Sequence, residues 1–341
     1  MSADRTSTQI HLAHRPVGWP THDDFRTVEV DLPDLEPGEV RVRNEVLSVD
    51  PYMRGRMNEG RSYVPPFRLD AVMTGAALGR VVASRADGLA EGDLVQHDLG
   101  WRDLAQGPGR VFRRLQEVPG IPASAHLSVL GVTGFTAWLG LTEIAAMQEG
   151  DTVLVSGAAG SVGSAVGQIA RLKGASRTIG SAGGPEKARL LTERYGFDTA
   201  IDYKAAPIRE QLLAATGRED GEGIDVYFDN VGGDHLEAAI EVFNDGGRAA
   251  LCGAIAGYND ERRSPGPDNL WFAITRGLTL RGFTVPGYLQ HFPAFLEEAV
   301  PWVQDGRLVH DETVREGIGS AVDAFLDLMR GGNTGKMLVR L

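Results

Sequence analysis

The sequence has a single cysteine, Cys252. One cysteine excludes an intramolecular disulfide framework and any cysteine-rich zinc or iron–sulfur site. Long apolar runs are also lacking, because no stretch of about 18 consecutive apolar residues occurs and the N-terminal segment has no apolar run behind its charged residues. We therefore expect a soluble, cytoplasmic protein that has neither a signal peptide nor a membrane span.

Basic residues are too few for a protein whose main partner is nucleic acid or an anionic membrane surface. The 34 lysines and arginines are outnumbered by 46 aspartates and glutamates, and the formal net charge is -12. This charge disfavours long-range attraction to phosphates, but a local basic pocket for one phosphate is compatible with it. With 341 residues, of which 42% are hydrophobic and 23% charged, the chain has the composition of a folded protein of two domains.

The two parts of the chain differ in their sequence pattern. Up to residue 127, short apolar runs such as Glu39–Val49 and Ala77–Ser84 are separated by Gly, Pro and Asp, which predicts a mostly antiparallel β domain. From Ser128 onward, apolar strands alternate with segments of helical spacing, from a helix predicted over Val129–Ala146 to a strand predicted over Leu278–Val285. This alternation predicts a doubly wound parallel sheet with helices on both faces. We assign residues 1–127 to the first domain, 128–305 to the nucleotide-binding domain and 306–341 to a return into the first domain.

The strongest local signal is a glycine turn between a predicted strand, Thr152–Ser156, and a predicted helix, Val162–Leu172. It follows the dinucleotide fingerprint G-x-G-x-x-G, with Ala158 in place of the first glycine and Gly160 and Gly163 as the second and third. Gly160 would let the backbone approach a pyrophosphate, and the amides that open the helix would face it. The alternative is a tight turn that binds nothing, which the flanking strand and helix disfavour.

The end of the second strand of this domain discriminates between NAD and NADP. An NAD enzyme has an Asp or Glu about 20 residues after the glycines, where it holds the ribose 2′-hydroxyl. Here the chain reads SAGGP over residues 181–185, with no acid at the strand end. Gly183 leaves room for a phosphate that Lys187 could neutralise, so the pattern favours NADP(H). Glu186 and Lys187 also fit an ordinary solvated first turn of a helix.

Several segments spread over the chain carry a family resemblance. They include LSVDPYMRGRM at 47–57, LGVTGFTAWLGLTEI at 130–144, SGAAGSVGSAVGQIARLKG at 156–174, AGGPEKARLL at 182–191, IDYK at 201–204, YFDNVGG at 227–233, CGAI at 252–255, RGF at 281–283 and NTGKMLV at 333–339. The chain thereby resembles the zinc-free medium-chain dehydrogenases/reductases, in the branch of the prostaglandin reductases, the plant alkenal double-bond reductases and the bacterial curcumin reductases. The resemblance implies a Rossmann domain inserted into a GroES-like, mostly antiparallel β domain, and a homodimer that acts on a small molecule.

The resemblance also implies a set of residues around NADPH. The pyrophosphate would lie on Gly160, Ser161, Val162 and Gly163, and the 2′-phosphate among Gly183, Lys187 and Tyr203. The other matched positions, near the ribose and the nicotinamide, are Asn230, Cys252, Gly253, Ala254, Ile255, Tyr258, Phe283, Thr284, Val285 and Asn333. From pattern alone, Asn230 also fits a turn, Phe283 and Val285 fit an ordinary apolar strand, and Cys252 fits a small buried hydrophobic residue.

The chemistry has to proceed without a zinc site of the Cys and His type. His97 is a lone histidine without ligand companions, so the chain cannot assemble the site with which alcohol dehydrogenases of this fold polarise their substrates. Hydride addition to the β-carbon of an enone spreads the charge into an enolate, which a hydrogen-bond donor can stabilise. The resemblance assigns this donor to Tyr258 and places Tyr52 in the wall of the substrate cleft. Without the resemblance, both also fit packed loop tyrosines.

The expected activity is NADPH-dependent reduction of the carbon–carbon double bond of α,β-unsaturated ketones or aldehydes. A quinone reductase is one alternative, which would use the same cofactor site but tolerate loss of Tyr258 because the quinone itself accepts the electrons. A non-catalytic NADP(H)-binding protein is another, since a fold can keep a cofactor site after losing its activity. The presence of both Tyr258 and Tyr52 favours an enzyme.

Overall fold

The structure is a computed structural model that describes residues 5–60, 62–217, 223–262 and 265–341. The chain divides into two compact units. Unit 1 consists of Met1–Leu127 and Glu312–Leu341, and unit 2 consists of Ser128–Asp311. Unit 2 is therefore inserted in the sequence of unit 1.

The second boundary lies after Asp311, not at residue 305 as predicted. The segment before it is bonded to unit 2. The Val309 amide donates to Gln168 Oε1 at 2.8 Å, and Gln168 Nε2 donates back to the Val309 carbonyl at 2.9 Å. The Asp311 carboxylate accepts hydrogen bonds from Arg194 and from the Tyr195 hydroxyl, each at 2.7 Å. A sequence pattern does not reveal these long-range bonds.

Unit 1 is mostly antiparallel β structure. A three-stranded sheet has the order β2-β1-β4, and a seven-stranded sheet has the order β15-β16-β3-β5-β6-β8 with β7 paired to β3. The strands, numbered along the chain, are β1 (Thr6–Leu12), β2 (Phe25–Asp31), β3 (Glu39–Ser48), β4 (Ala71–Val72), β5 (Ala77–Ser84), β6 (Leu94–His97), β7 (Leu104–Pro108), β8 (Arg113–Arg114), β15 (Glu312–Glu316) and β16 (Lys336–Arg340). Its helices are α1 (Tyr52–Arg56) and α9 (Ala321–Met329).

The core of the larger sheet follows the period-two pattern of its strands. In β3, Val40 and Val42 are fully buried and pack against Val81 of β5, Val95 of β6 and Phe112. Because alternate side chains of a strand point to opposite faces, this spacing buries one face of the sheet. The pattern that predicted strands here therefore also identifies the core residues.

Unit 2 is built on a six-stranded parallel sheet of order β11-β10-β9-β12-β13-β14. Its strands are β9 (Thr152–Val155), β10 (Arg177–Ala182), β11 (Thr199–Asp202), β12 (Ile224–Asp229), β13 (Phe243–Leu251) and β14 (Thr279–Gly282). Its helices are α2 (Val132–Leu139), α3 (Ser161–Leu172), α4 (Pro185–Glu193), α5 (Ile208–Thr216), α6 (Gly233–Val242), α7 (Trp271–Thr275) and α8 (Phe292–Gln304). The strand order reverses between β9 and β12, the place where doubly wound sheets bind ligands.

Two predicted elements of unit 2 end earlier than the sequence pattern indicates. The helix predicted over Val129–Ala146 is α2 followed by a π-helical turn at Gly140–Ile144. The strand predicted over Leu278–Val285 is β14, which ends at Gly282, and a 3₁₀ turn begins at Val285. Pro286 lies in the first turn of that segment and has no backbone N–H for a strand pairing.

Both predicted layers are present, so the predicted α/β fold class is confirmed. Among the helices of the described residues, none combines the length and apolar character needed to cross a membrane.

Candidate functional site

The glycine turn lies between β9 and α3, as the sequence predicts. Gly160 is the residue before the helix, has extended backbone angles, and provides no side-chain cap for the first amides of α3. Ser161 and Val162 open the helix, and the Ser161 hydroxyl donates to Thr133 Oγ1 at 2.8 Å. Uncapped amides at the positive end of a helix suit an anion, so this turn fits the pyrophosphate of a dinucleotide.

Gly163 allows the helix to pack directly on the turn. A Cβ atom on Gly163 would lie 2.4 Å from the Gly157 carbonyl oxygen and 2.7 Å from Ala158 Cα. Both neighbours are backbone atoms of the turn, so a side chain at this position would force the helix away from the turn. Gly157 itself has a φ of 60°, in the left-handed region that favours glycine. The turn therefore depends on Gly157 as well as on the residues of the fingerprint.

The residues predicted to surround the 2′-phosphate lie after the ends of β10 and β11. A Cβ atom on Gly183 would lie 2.6 Å from the Tyr203 hydroxyl, so Tyr203 covers this glycine. Lys187 lies in the first part of α4, and burial together with the charge of Lys204 lowers the pKa of its ammonium group. The structure thus brings Gly183, Lys187 and Tyr203 together and adds Lys204, which sequence reasoning missed. The sequence signal that could have identified Lys204 is that it directly follows the predicted site residue Tyr203.

Asp229 organises the turn after β12, and sequence reasoning also missed it. Its carboxylate is buried and accepts hydrogen bonds from the Tyr227 hydroxyl at 2.7 Å, from the Gly232 amide at 2.8 Å and from the Ser156 hydroxyl at 3.2 Å. The predicted site residue Asn230 bonds to the same serine, with its amide on Ser156 Oγ at 2.9 Å and its Nδ2 on the Ser156 carbonyl at 2.8 Å. These bonds join the ends of β9 and β12.

The segment from Cys252 to Tyr258 is held against this turn. The Cys252 and Gly253 amides donate to the Asp229 carbonyl at 2.9 and 3.0 Å. The Ala254 amide donates to the Tyr258 hydroxyl oxygen at 3.4 Å, and Ile255 opens a short 3₁₀ turn. Burial raises the pKa of the Tyr258 phenol, and it raises that of the Cys252 thiol to about 12. The Tyr258 phenol and the Cys252 thiol are therefore both protonated at neutral pH.

Phe283, Thr284 and Val285 follow β14 instead of forming part of it. The Phe283 ring meets the Phe228 ring edge-on at 6.3 Å. Thr284 has extended backbone angles. Within unit 2, the residues predicted to line the cofactor thus follow the carboxyl ends of parallel strands, where a bound nucleotide is expected in this type of sheet.

Two predicted site residues lie in unit 1. Tyr52 opens α1, is half-buried and hydrogen-bonds to Arg56. Burial, and next the charge of Asp50, raises the pKa of the Tyr52 phenol well above its usual value. Asn333 is buried, and its Nδ2 donates to the Gly335 carbonyl at 2.7 Å. Tyr52 is therefore a neutral phenol at neutral pH.

Both ring nitrogens of His97 hydrogen-bond to neighbouring groups of unit 1. The Leu99 amide donates to its Nδ1 at 3.0 Å, and its Nε2 lies 2.9 Å from Asn44 Oδ1. Both ring nitrogens are thus used by neighbouring groups. Among the described residues, no group of three or more His, Cys, Asp or Glu side chains is arranged to hold a metal ion.

Comparison with known proteins places these two units in one family. Residues 8–115 match the family described as the N-terminal domain of oxidoreductase, and residues 161–304 match the family described as zinc-binding dehydrogenase. The chain is 38% identical to the NADPH-dependent curcumin reductase of Escherichia coli (strain K12) over 335 residues, which are 97% of this chain and 95% of that protein. It is 36% identical to the NADP⁺-dependent 2-alkenal reductase of Nicotiana tabacum over 346 residues, 99% of this chain and 98% of that protein.

A solved structure agrees with this placement. The crystal structure of CurA from Vibrio vulnificus in complex with NADPH has a TM-score of 0.91 to this chain, 39% identity, and 98% coverage of both chains. The fold, the glycine turn and these similarities define an oxidoreductase of the medium-chain type. The chain belongs to the medium-chain dehydrogenase/reductase family, in its zinc-free branch. The family resemblance stated from the sequence is thereby confirmed.

Proposed function

We propose that this oxidoreductase reduces the carbon–carbon double bond of α,β-unsaturated ketones or aldehydes, with hydride added to the β-carbon. The cofactor is NADP(H). Support for the reaction comes from the relatives named as curcumin and 2-alkenal reductases, whose named substrates contain conjugated double bonds. The observation that carries the proposal is the half-buried phenol of Tyr258, protonated at neutral pH, on the loop that follows β13.

In this proposal, residues of unit 2 hold most of the cofactor. Gly160, Ser161, Val162 and Gly163 would hold the pyrophosphate, and Gly183, Lys187 and Tyr203 the 2′-phosphate. When bound, NADPH supplies the hydride. The ribose and nicotinamide would be lined by Asn230, Cys252, Gly253, Ala254, Ile255, Tyr258, Phe283, Thr284 and Val285. Asn333, which belongs to unit 1, stays a prediction of the family resemblance.

Tyr258 acts as the hydrogen-bond donor to the substrate oxygen. Its own oxygen accepts the Ala254 amide, and this bond leaves the phenolic proton to donate to a carbonyl. As hydride reaches the β-carbon, negative charge moves to that oxygen, and a donor already in place stabilises the resulting enolate. A proton from solvent then completes the α-carbon. Tyr52 forms part of the wall that shapes the substrate cleft.

The decisive experiment follows NADPH absorbance with a panel of enones, quinones and saturated ketones. Tyr258→Phe is expected to lower enone turnover by about ten- to a hundredfold, because one donor to a developing oxyanion contributes on the order of 1–3 kcal/mol. Tyr288→Phe is the matched control, since Tyr288 lies in the same unit and its hydroxyl accepts a hydrogen bond from Arg281 at 2.9 Å.

The panel also discriminates between the alternatives. Enone turnover that is unchanged in Tyr258→Phe contradicts the role of Tyr258. Turnover of quinones alone supports a quinone reductase. NADPH binding without turnover of any substrate in the panel supports a cofactor-binding protein without catalysis.

We also propose a homodimer that pairs through unit 2. Strand β14 is at the edge of the sheet, and its residues are mostly exposed. The preceding helix α7 exposes two large apolar side chains, Trp271 at 56% and Ile274 at 85%. An open strand edge beside exposed apolar side chains suits pairing with a second copy.

Sedimentation velocity tests this arrangement. Ile274→Asp is expected to produce a monomer, whereas Val17→Asp is the control because Val17 is 82% exposed in unit 1. A wild-type monomer at micromolar concentration, or a dimer unaffected by Ile274→Asp, contradicts the proposed interface.

A further inference from the structure

Two lysines follow neighbouring strands of the parallel sheet, Lys187 in α4 after β10 and Lys204 just after β11. Only four of the 34 basic residues of this chain are lysines, and Lys187 and Lys204 are two of them. Burial lowers the pKa of the Lys187 ammonium group, and the positive charge of Lys204 lowers it further. Two positive charges that interact disfavour each other, and a bound anion that both lysines contact would reduce that cost.

The backbone of Gly183 lies beneath both Tyr203 and Lys204. A Cβ atom on Gly183 would lie 3.0 Å from Lys204 Cε and 2.6 Å from the Tyr203 hydroxyl. The stem of Lys204 therefore extends over the glycine that was predicted to leave room for a phosphate. Lys187 is half-buried, whereas Lys204 is exposed, so the two ammonium groups differ in their access to solvent.

Asp202 fixes the position of Lys204 relative to Gly183. Its Oδ1 accepts hydrogen bonds from the Gly184 amide at 2.7 Å and from the Lys204 amide at 3.0 Å. In addition, the Tyr203 amide donates to the Ala182 carbonyl at 3.2 Å. The loop after β10 and the turn after β11 are thus joined by one backbone–backbone bond and by the Asp202 carboxylate.

We propose that Lys204 is a second cation for the 2′-phosphate of NADP(H) and a determinant of the preference for NADP(H) over NAD(H). The inference rests on the proposed cofactor site and adds one residue to it. A lysine ammonium group is a mobile point charge with three donors, and it can reach a phosphate from the solvent side while Lys187 reaches it from the half-buried side. Two cations match a phosphate dianion better than one.

Calorimetric titration with 2′,5′-ADP and 5′-AMP tests the inference without nicotinamide and without turnover, because these ligands differ only in the 2′-phosphate. Lys204→Met is expected to weaken 2′,5′-ADP binding about tenfold, as for one hydrogen bond to a charged group, and to leave 5′-AMP binding unchanged. Lys204→Arg keeps the charge and is expected to retain most of the affinity. The control is Lys173→Met, which removes a lysine of unit 2 that pairs with Glu298 at 2.6 Å.

Two results would overturn the inference. If 2′,5′-ADP binding is unchanged in Lys204→Met but lost in Lys187→Met, Lys204 is an ordinary solvent-exposed lysine. If Lys204→Met weakens both ligands equally, it acts on the shape of the pocket and not on the phosphate. A wild-type protein whose 2′,5′-ADP affinity depends on Lys204 but that reduces no enone contradicts only the proposed reductase function.

Discussion

Lys336 of β16 donates hydrogen bonds to the Asp50 carboxylate and, at 3.1 Å, to the Val49 carbonyl. The lysine side chain is 3% exposed and that of Asp50 14%. A second hydrogen bond to Asp50 comes from the Ser48 hydroxyl. The pair joins the last strand of the chain to the end of β3, just ahead of the helix that carries Tyr52. Both residues belong to segments that carry the family resemblance.

Removing only Lys336 is expected to be more costly than removing the whole pair. Lys336→Met leaves a carboxylate in a nearly buried place without its cation, which costs about 3–5 kcal/mol of unfolding free energy. Lys336→Met combined with Asp50→Leu removes both charges and is expected to recover a large part of that loss. Urea unfolding of the three proteins measures the difference. Equal loss in the single and the double variant would show that the hydrogen bond to Val49, and not the charge, matters.

Replacing Gly163 and Gly160 of the fingerprint with alanine, one at a time, is expected to separate the effect on stability from the effect on cofactor binding. Gly163→Ala places Cβ 2.4 Å from a backbone oxygen, so it should lower the unfolding free energy by about 1–3 kcal/mol. Gly160→Ala meets only the Gly157 oxygen at 3.3 Å, and its φ of −83° suits any residue. It should retain stability but weaken NADPH binding.

Thermal unfolding and NADPH titration measure these two effects. Gly287→Ala is the control, because a Cβ atom there meets no heavy atom within 4 Å. Full NADPH affinity in Gly160→Ala would argue against close approach of the pyrophosphate to this residue.

His97 is expected to make the fold sensitive to acid. Burial, with a contribution from the charge of Arg102, lowers the pKa of its imidazole to about 3, whereas the unfolded chain has a value of about 6.5. Between these values the unfolded state binds the additional proton, so stability falls as the pH falls below 6.5. The loss is about 1.4 kcal/mol per pH unit, or about 2 kcal/mol at pH 5.

His97→Gln removes the titrating ring and keeps an amide donor for Asn44. The difference in unfolding free energy between pH 7 and pH 5 is expected to be smaller in this variant by about 2 kcal/mol. Equal pH dependence in the two proteins would show that other groups cause the acid sensitivity.

Local signals predicted those parts of the site that are close in sequence. The glycine turn between β9 and α3 was predicted from one strand, one helix and the spacing of Gly160 and Gly163. The contact of Ser156 with Asp229 joins residues 73 positions apart and depends on the pairing of β9 with β12. A sequence pattern contains no information on that register, and so the organising role of Asp229 was missed.

The predicted ends of some helices and strands were wrong for a related reason, because they also depend on contacts that a local pattern does not contain. The apolar run that predicted a strand to Val285 continues beyond Gly282, but the turn with Pro286 ends the pairing. Lys204 belongs to a segment that carries the family resemblance, but the sequence gives it no role, because its position over Gly183 depends on the two hydrogen bonds of Asp202. Sequence alone therefore does not assign functional residues whose role depends on tertiary contacts.

The pH dependence of enone reduction should reflect the protonation of Tyr258. Burial raises the pKa of its phenol above the ordinary tyrosine value of about 10, so the donor keeps its proton through the neutral range. Turnover by the wild type is therefore expected to be insensitive to this group up to about pH 10 and to fall only above it. Tyr258→Phe should be slower at neutral pH and should lack that alkaline fall. A rate profile at saturating NADPH, with unfolding monitored at each pH, makes the comparison. An alkaline fall with the same midpoint in both proteins would assign it to another group and would remove this support for Tyr258 as the donor.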